Sequence, residues 1–249
     1  MISTRQYLQR IGILERKNPD YDFLAELQLA HLLTVPFETH DIHSGIRIIC
    51  DEEGFLNKII ARKRGGFCYE LNSAFAWLLR SLGFRVTLLS GRVARPTGDY
   101  GPEFDHMTLL VHLDRDYVVD VGFTNFSAIP LTLDGTEKTD VLGTSEIRRL
   151  ENGDFAFCRF EDNAWKTEYL FTLKPRQLKE FEAMCRFHES SPESPFTTKP
   201  LATIYTTSGR KTISGNSLII LDNGIRTIRD ITDAEKFDLL KEQFGILCQ

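Results

Sequence analysis

The chain is short of positive charge, of long apolar runs and of paired cysteines, and each shortage removes a class of function. Its 30 Lys and Arg are outnumbered by 35 Asp and Glu, for a net charge of −5. Neither half holds a basic block able to neutralise a phosphate backbone, so no nucleic acid is expected as a partner. The longest apolar runs are a few residues, as in Leu218-Ile219-Ile220-Leu221, where a bilayer requires roughly 20; no membrane partner is expected either. The opening Met-Ile-Ser-Thr-Arg-Gln-Tyr lacks the charged start, apolar core and small-residue cleavage site of a signal peptide, which makes the cytoplasm the expected location. The five cysteines, Cys50, Cys68, Cys158, Cys185 and Cys248, are odd in number, widely spaced and free of any CxxC pair. That speaks against a disulfide framework and against a zinc knuckle. Internal repeats and low-complexity tracts are missing too. What is present is an ordinary globular composition, 42% apolar and 26% charged over 249 residues with 18 Phe, enough for one large domain or two or three small ones.

The hydrophobic period changes along the chain. Thr4 to Arg16 and Tyr21 to Leu33 read as amphipathic helices, a polar loop follows Val35-Pro36-Phe37 as far as Asp51, and a short helix is expected around Gly54 to Arg62. From Tyr69 to Leu82 the apolar Leu71, Phe75, Leu78, Leu79 and Leu82 fall at helical spacing, with Gly83 as the stop. Beyond it the period becomes two: Phe84 to Val93, His106 to Leu113, Tyr117 to Phe123, Ile147 to Leu150, Phe155 to Phe160 and Trp165 to Leu173 read as strands of an antiparallel sheet or barrel. Pro175 is expected to begin a helix running to about His188, and Ser190 to Pro195 is the one linker-like stretch. Strands near Leu201 to Thr206 and Ser217 to Leu221, a turn at Asp222-Asn223-Gly224 and a helix from about Asp233 to Phe244 complete the chain. The fold class is α+β.

Cys68 stands apart from the other cysteines by its place after Gly65-Gly66 and in the first turn of the strongest helix. A thiol there meets the positive end of the helix dipole and unpaired backbone N–H groups, both of which favour a thiolate. The glycine pair is read as room for a substrate to approach it. The other four cysteines are read as small apolar side chains. A cysteine nucleophile needs a base, and the base an orienting group on its other nitrogen. His106 opens one strand, and thirteen residues separate it from Asp120, which lies in Val118-Val119-Asp120-Val121-Gly122-Phe123. A carboxylate among Val and Gly is costly to bury unless something holds it. An odd connecting loop such as Leu113-Asp114-Arg115 would set His106 and Asp120 on one face as diagonal neighbours, whereas an even loop would part them. His40-Asp41-Ile42-His43 has the spacing of metal ligands but lacks a third, and is read as a solvated loop with no metal.

These residues resemble one family. Arg64-Gly65-Gly66-Phe67-Cys68-Tyr69-Glu70-Leu71-Asn72, the strand opening His106-Met107 and Val119-Asp120-Val121-Gly122-Phe123 are similar, in order, to the cysteine, histidine and aspartate segments of the arylamine N-acetyltransferases. The likeness extends to Val35-Pro36-Phe37-Glu38, Gly91-Arg92-Val93 and Ser191-Pro192 through Ser194-Pro195-Phe196, and so spans nearly the whole chain. It implies an N-terminal helical bundle (residues 1–83) carrying the nucleophile, a central antiparallel β-barrel (84–189) carrying His106 and Asp120, and a C-terminal α/β lid (190–249). It also implies ping-pong acetyl transfer from acetyl-coenzyme A through acetyl-Cys68 to an arylamine, hydrazine or arylhydroxylamine. Cys68 would then pair with His106, Asp120 would fix the imidazole, and the Cys68 N–H would face the oxyanion. Phe37, Val93 and Phe123 would line the acceptor pocket, alteration of Phe123 slowing only the second half-reaction. Thr206 and Gly209 would contact coenzyme A, and Arg64 with Glu38 would form a buried supporting ion pair. A homodimer is left open.

Three departures bear on the acceptor and coenzyme ends: Thr39-His40 follows Glu38, Thr124 follows Phe123, and Gly101-Pro102-Glu103-Phe104-Asp105 precedes His106 where relatives carry other residues. Two rival readings remain. One is a Cys-His-Asp hydrolase of the protease or transglutaminase type; the other is a coenzyme-A-binding module without turnover, against which a complete Cys68, His106 and Asp120 set argues.

Overall fold

The computed structural model describes residues 2–246; Cys248 lies outside them. α1 (Thr4–Arg10) and α2 (Tyr21–Thr34) open the chain. The first helix is shorter than its periodicity suggests, because Gly12 at φ +76° turns the chain left-handed and the Ile13 N–H closes back on the Leu8 carbonyl at 2.9 Å. The segment expected to be a polar loop is partly ordered: β1 (Phe37–Glu38) and α3 (His40–His43) lie within it, with Asp41 buried. α4 (Glu52–Leu56) runs into a π-helical turn, Asn57–Ala61, which carries the buried Lys58.

α5 (Cys68–Ser81) is the spine of the molecule, with eleven residues buried, among them Leu71, Phe75, Leu78 and Leu79. Its cap is the Glu70 carboxylate, which reaches back to the Phe67 N–H at 3.0 Å. Gly83 ends it at φ +102°.

Eight antiparallel strands follow: β2 (Arg85–Val93), β3 (His106–His112), β4 (Asp116–Val119), β5 (Leu131–Thr132), β6 (Lys138–Asp140), β7 (Gly143–Arg149), β8 (Phe155–Glu161) and β9 (Ala164–Phe171). Their order, β5-β4-β3-β2-β9-β8-β7-β6, makes a nearly closed barrel. Alternation sorts the side chains. Leu89, Leu110, Val118, Phe157 and Tyr169 fill the interior, while Met107, Leu109 and Val111 turn outward into the core that α5 shares. The strand expected over 117–123 stops at Val119, and Asp120 lies just past its end. Pro175 starts no helix: Arg176 bridges to Leu88, a 3₁₀ turn covers Leu178–Phe181, and α6 begins only at Glu182 and ends at Ser190.

A second sheet, ordered β1-β10-β11-β12-β13, is built from β10 (Leu201–Thr206), β11 (Gly209–Ser214), β12 (Ser217–Asp222) and β13 (Ile225–Asp230), with Phe37 and Glu38 paired to Thr203 and Ala202. α7 (Asp233–Phe244) packs Leu240 and Phe244 on Ala202, Ile213 and Leu218. Two of these strands escape the sequence: every residue of β13 is exposed, and β11 carries one large apolar residue, Ile213, so neither shows an apolar alternation.

One polar group in the helical core has an acid-sensitive consequence. His31 is completely buried between Tyr7 and Phe75, and neither ring nitrogen has a partner among the described residues. Burial, helped by the charge of Arg10, pushes its pKa down to about 3. The unfolded chain takes up a proton near pH 6.5 that the folded chain refuses, so stability is lost as pH falls from about 6.5 towards 3. From pH 7 to 4.5 this one residue removes about 2–3 kcal/mol. Urea unfolding at the two pH values is expected to show that much less acid loss in His31→Phe than in the unmodified protein; equal losses would refute the assignment.

Candidate active site

The register of β3 and β4 places the first two groups. His112 pairs with Asp116 and Leu109 with Val119, so the loop is Leu113-Asp114-Arg115, the odd case. His106 and Asp120 then share the inner face as diagonal neighbours, and His106 Nε2 lies 2.6 Å from Asp120 Oδ2. Asp120 has no exposed surface, and four donors meet its carboxylate. Besides His106, these are the Tyr169 hydroxyl (3.1 Å), Asn72 Nδ2 (2.8 Å) and the Gly122 N–H (2.9 Å). Asn72 also donates to the Met107 carbonyl at 2.6 Å and accepts from the Val121 N–H at 2.9 Å. It stands one turn after Cys68 on α5, so the same helix face presents the thiol and the clamp on the acid.

Cys68 is the first residue of α5 and is 3% exposed. The glycine pair before it has a different reason from substrate access. A Cβ at Gly65 would stand 2.0 Å from the Pro36 carbonyl oxygen, and one at Gly66 2.6 Å from Glu70 Oε2. The glycines let the strand Phe37–Glu38 lie against the chain entering α5, where the Glu38 N–H donates to the Gly66 carbonyl at 2.9 Å. Beneath this junction is a buried charge network: Arg64 pairs with Glu38 (2.7 Å) and Asp41 (2.9 Å), and Lys58 with Asp41 (2.8 Å) and Glu70 (2.9 Å). Burial alone would raise the Glu38 carboxyl; a hydrogen bond with His40 and the charges of Lys58 and Arg64 overcome it and hold the pKa at about 2. His40 Nδ1 lies 3.4 Å from Glu38 Oε2, and His43 Nε2 lies 2.9 Å from the Phe196 carbonyl oxygen.

Burial pushes the Cys68 thiol well up, and the Asp120 charge adds to that, while the N–H groups of Met107 and Tyr69 pull it down. A thiol held this way ionises poorly by losing its proton to water. Gly122 closes the back of the site: a Cβ there would come within 2.7 Å of both Cys68 Cα and Asn72 Nδ2.

Cys68 and His106 open on one cavity of about 210 Å³, also walled by Phe37, Val93, Phe123 and Phe196. An apolar cavity of about 150 Å³ accepts benzene, so this one has room for a substituted aromatic ring. All three residues expected to line an acceptor pocket are on it. Phe123 does more than line it, because its ring stands edge-on to His106 (5.2 Å) and Tyr169 (5.1 Å). Thr206 and Gly209 are not on the cavity wall; they face each other where β10 turns into β11. Gly209 has a packing reason, since a Cβ would meet the Leu221 carbonyl oxygen at 2.0 Å. The sequence reading missed Asp105, His188, Phe196 and Leu201, which also line the cavity. It likewise missed Tyr169, for which nothing in the chain is a signal. Asn72 was missed as well, although its place four positions after Cys68 on the same helix was a signal that could have found it.

The N-acetyltransferase family profile matches residues 20–249. The arylamine N-acetyltransferase pineal gland isozyme NAT-3 of Gallus gallus is 33% identical over 272 residues, covering 97% of this chain and 93% of that protein. The chain belongs to the arylamine N-acetyltransferase family. Among solved structures, the NAT3 arylamine N-acetyltransferase of Bacillus cereus, described as having a Cys-His-Glu catalytic triad, matches with a TM-score of 0.90 and 25% identity over 100% of both chains. The Mycobacterium marinum arylamine N-acetyltransferase, solved in complex with CoA, matches with a TM-score of 0.91 and 28% identity over 98% of this chain and 93% of its own.

In this acetyltransferase Asn72 is the residue whose loss strands the most buried groups. Asn72→Ala leaves the Val121 N–H, the Met107 carbonyl and one Asp120 oxygen short of a partner, which is expected to cost on the order of 2–4 kcal/mol of unfolding free energy. Urea titration measures it; a loss below about 1 kcal/mol would mean that these groups find other partners.

Proposed function

We propose that this acetyltransferase works by a ping-pong reaction through acetyl-Cys68, with Cys68, His106 and Asp120 as the triad. The observation that carries the reading is a buried carboxylate–imidazole pair at 2.6 Å opening on the same cavity as a cysteine at a helix start. Because burial opposes ionisation of the thiol alone, the thiolate forms by passing its proton to His106, and Asp120 stabilises the imidazolium that results. With Nε2 held by Asp120, Nδ1 is the nitrogen that exchanges protons.

In the first half-reaction the Cys68 sulfur attacks the thioester carbonyl of acetyl-coenzyme A, the carbon–sulfur bond to the coenzyme breaks, and coenzyme A leaves with the proton from His106. In the second, the acceptor nitrogen attacks acetyl-Cys68, gives a proton to His106, and the Cys68 sulfur departs. The oxyanion of each tetrahedral intermediate faces the N–H of Cys68 at the start of α5. Arylamines suit the aromatic walls; hydrazines and the oxygen of arylhydroxylamines are nucleophiles of the same reach. In this reading residues 1–83 supply the nucleophile and 84–189 the base and acid, while 190–249 cover the cavity with Pro195, Phe196 and Leu201. The CoA-bound Mycobacterium marinum relative supports the choice of donor.

Intact mass after mixing with acetyl-coenzyme A is expected to show one acetyl group, mapped to Cys68 and discharged by an arylamine as its N-acetyl product; Cys68→Ser should show none. Turnover without acetyl-Cys68, or hydrolysis of a peptide amide in its place, overturns the reading. The two halves should also separate under mutation. Phe37 walls the cavity and packs on Phe196, so Phe37→Ala is expected to slow discharge to an aromatic amine by about 1–3 kcal/mol while leaving acetylation within about threefold. Phe123→Ala, by contrast, frees the His106 ring and should slow both halves. Stopped-flow measurement of each half decides between these outcomes, and equal slowing by Phe37→Ala would remove it from the acceptor site.

A further inference from the structure

The cavity wall holds a second carboxylate and a second imidazole that the triad does not use. Asp105 immediately precedes His106 and lines the cavity with Cys68. Its carboxylate accepts one long hydrogen bond, 3.4 Å from the Val93 N–H, and lies where Gly101 leaves no room for a Cβ. Among the described residues, His188 is the basic side chain within ion-pairing distance, its Nε2 standing 3.2 Å from Asp105 Oδ1. His188 is 3% exposed, also lines the cavity, and comes from α6, an element remote in sequence from the triad. Its orientation is built in: Nδ1 lies 3.1 Å from the hydroxyl of Ser194, a side chain with no exposed surface, and its ring packs against Phe196 at 5.0 Å. That leaves Nε2, which makes no hydrogen bond of good geometry, turned toward the carboxylate.

A carboxylate in a cavity of low polarity acts on every ionisable group that shares it. The groups facing Cys68 are Tyr69 on its own helix, Asp105 and His106 on the β3 side, Asp120 after β4, and Cys185 and His188 on α6. Two of these are carboxylates, and both oppose formation of a thiolate. Asp120 is offset by His106 and its three other donors. Asp105 has the long Val93 hydrogen bond and, among the described residues, His188 as its one basic neighbour.

We propose that His188 is a positioning residue of the acetyl-transfer reaction: it compensates the Asp105 carboxylate in the cavity wall and thereby keeps Cys68 able to ionise against His106. The proposal rests on Cys68 being the nucleophile. It separates the two carboxylates by role, Asp120 acting on the base and Asp105 being kept from acting on the thiol.

The test reads the thiol without donor or acceptor. The rate of Cys68 alkylation by iodoacetamide is followed by intact mass from pH 5 to 10 in the unmodified protein, His188→Gln, Asp105→Asn and the double variant, with folding checked by circular dichroism. His188→Gln is expected to lower the rate at pH 7 about tenfold and move its rise up by about one pH unit, one unit being a factor of ten. Asp105→Asn alone should leave the rate at pH 7 at or above that of the unmodified protein, and adding it to His188→Gln should bring the rate back to within about threefold of that protein. A loss by the same factor at every pH, a double variant slower than His188→Gln, or an unmoved profile overturns the proposal, since a packing role would behave in those ways. His188→Asn replaces the glutamine variant in the same cycle should the latter fold poorly. Because no acetyl group is involved, the cycle stands or falls apart from the acetyl-transfer reading, which fails instead if acetyl-coenzyme A does not acetylate Cys68.

Discussion

A carboxyl group with no exposed surface is costly to bury unless polar partners meet it, and Asp120 is met from four directions. The donors belong to different parts of the molecule: Asn72 to α5, His106 to β3, Tyr169 to β9, and Gly122 to the segment leaving β4. Satisfying one acid therefore locks the helix that carries Cys68 onto the barrel that carries His106. It also commits His106 Nε2, so Nδ1 is the ring nitrogen that Asp120 leaves free. The barrel order matters here, because β9 sits beside β2 in space and so brings Tyr169 to an acid nearly fifty residues away.

The other end of the thiol's environment is set by charge. Lys58, Glu70, Asp41, Arg64 and Glu38 form a continuous buried network under the start of α5. Networks of this kind add little stability over apolar packing, but removing one partner strands the rest at a cost of about 3–5 kcal/mol. Their value here is geometric. Glu70 caps the helix at Phe67 while holding Lys58, and the π-helical turn shifts Lys58 inward to reach both Glu70 and Asp41. The first turn of α5, and with it Cys68, is fixed by electrostatic partners as well as by the apolar face behind it.

Burial and reactivity pull against each other at Cys68. Enclosure gives Cys68 an apolar cavity lined by Phe37, Val93, Phe123 and Phe196, yet the same enclosure raises the thiol. In the reaction we propose, the conflict is met by passing the thiol proton to His106, which opens on the same cavity. Each of the two carboxylates near this small space has an imidazole beside it, His106 at Asp120 and His188 at Asp105.

What the sequence determined by itself was local. The helical period of Leu71 to Leu82, the stop at Gly83 and the alternating strands from Phe84 onward are short-range patterns, and they yielded α5 and most of the barrel directly. Cys68 was legible because a helix start and two glycines are neighbours in the chain, although the glycines serve the packing of β1 and not the substrate. The pairing of His106 with Asp120 was legible only as a choice between odd and even loops, since a period-two pattern gives faces but no register. Tertiary structure decided that choice through the three-residue turn Leu113 to Arg115. It also brought Tyr169 to Asp120, His188 to Asp105 and Phe196 to the cavity. Those residues carry no local mark, because a hydrogen bond or a cavity wall depends on distance in space, and a chain of this length folds positions far apart in sequence to within a few ångströms.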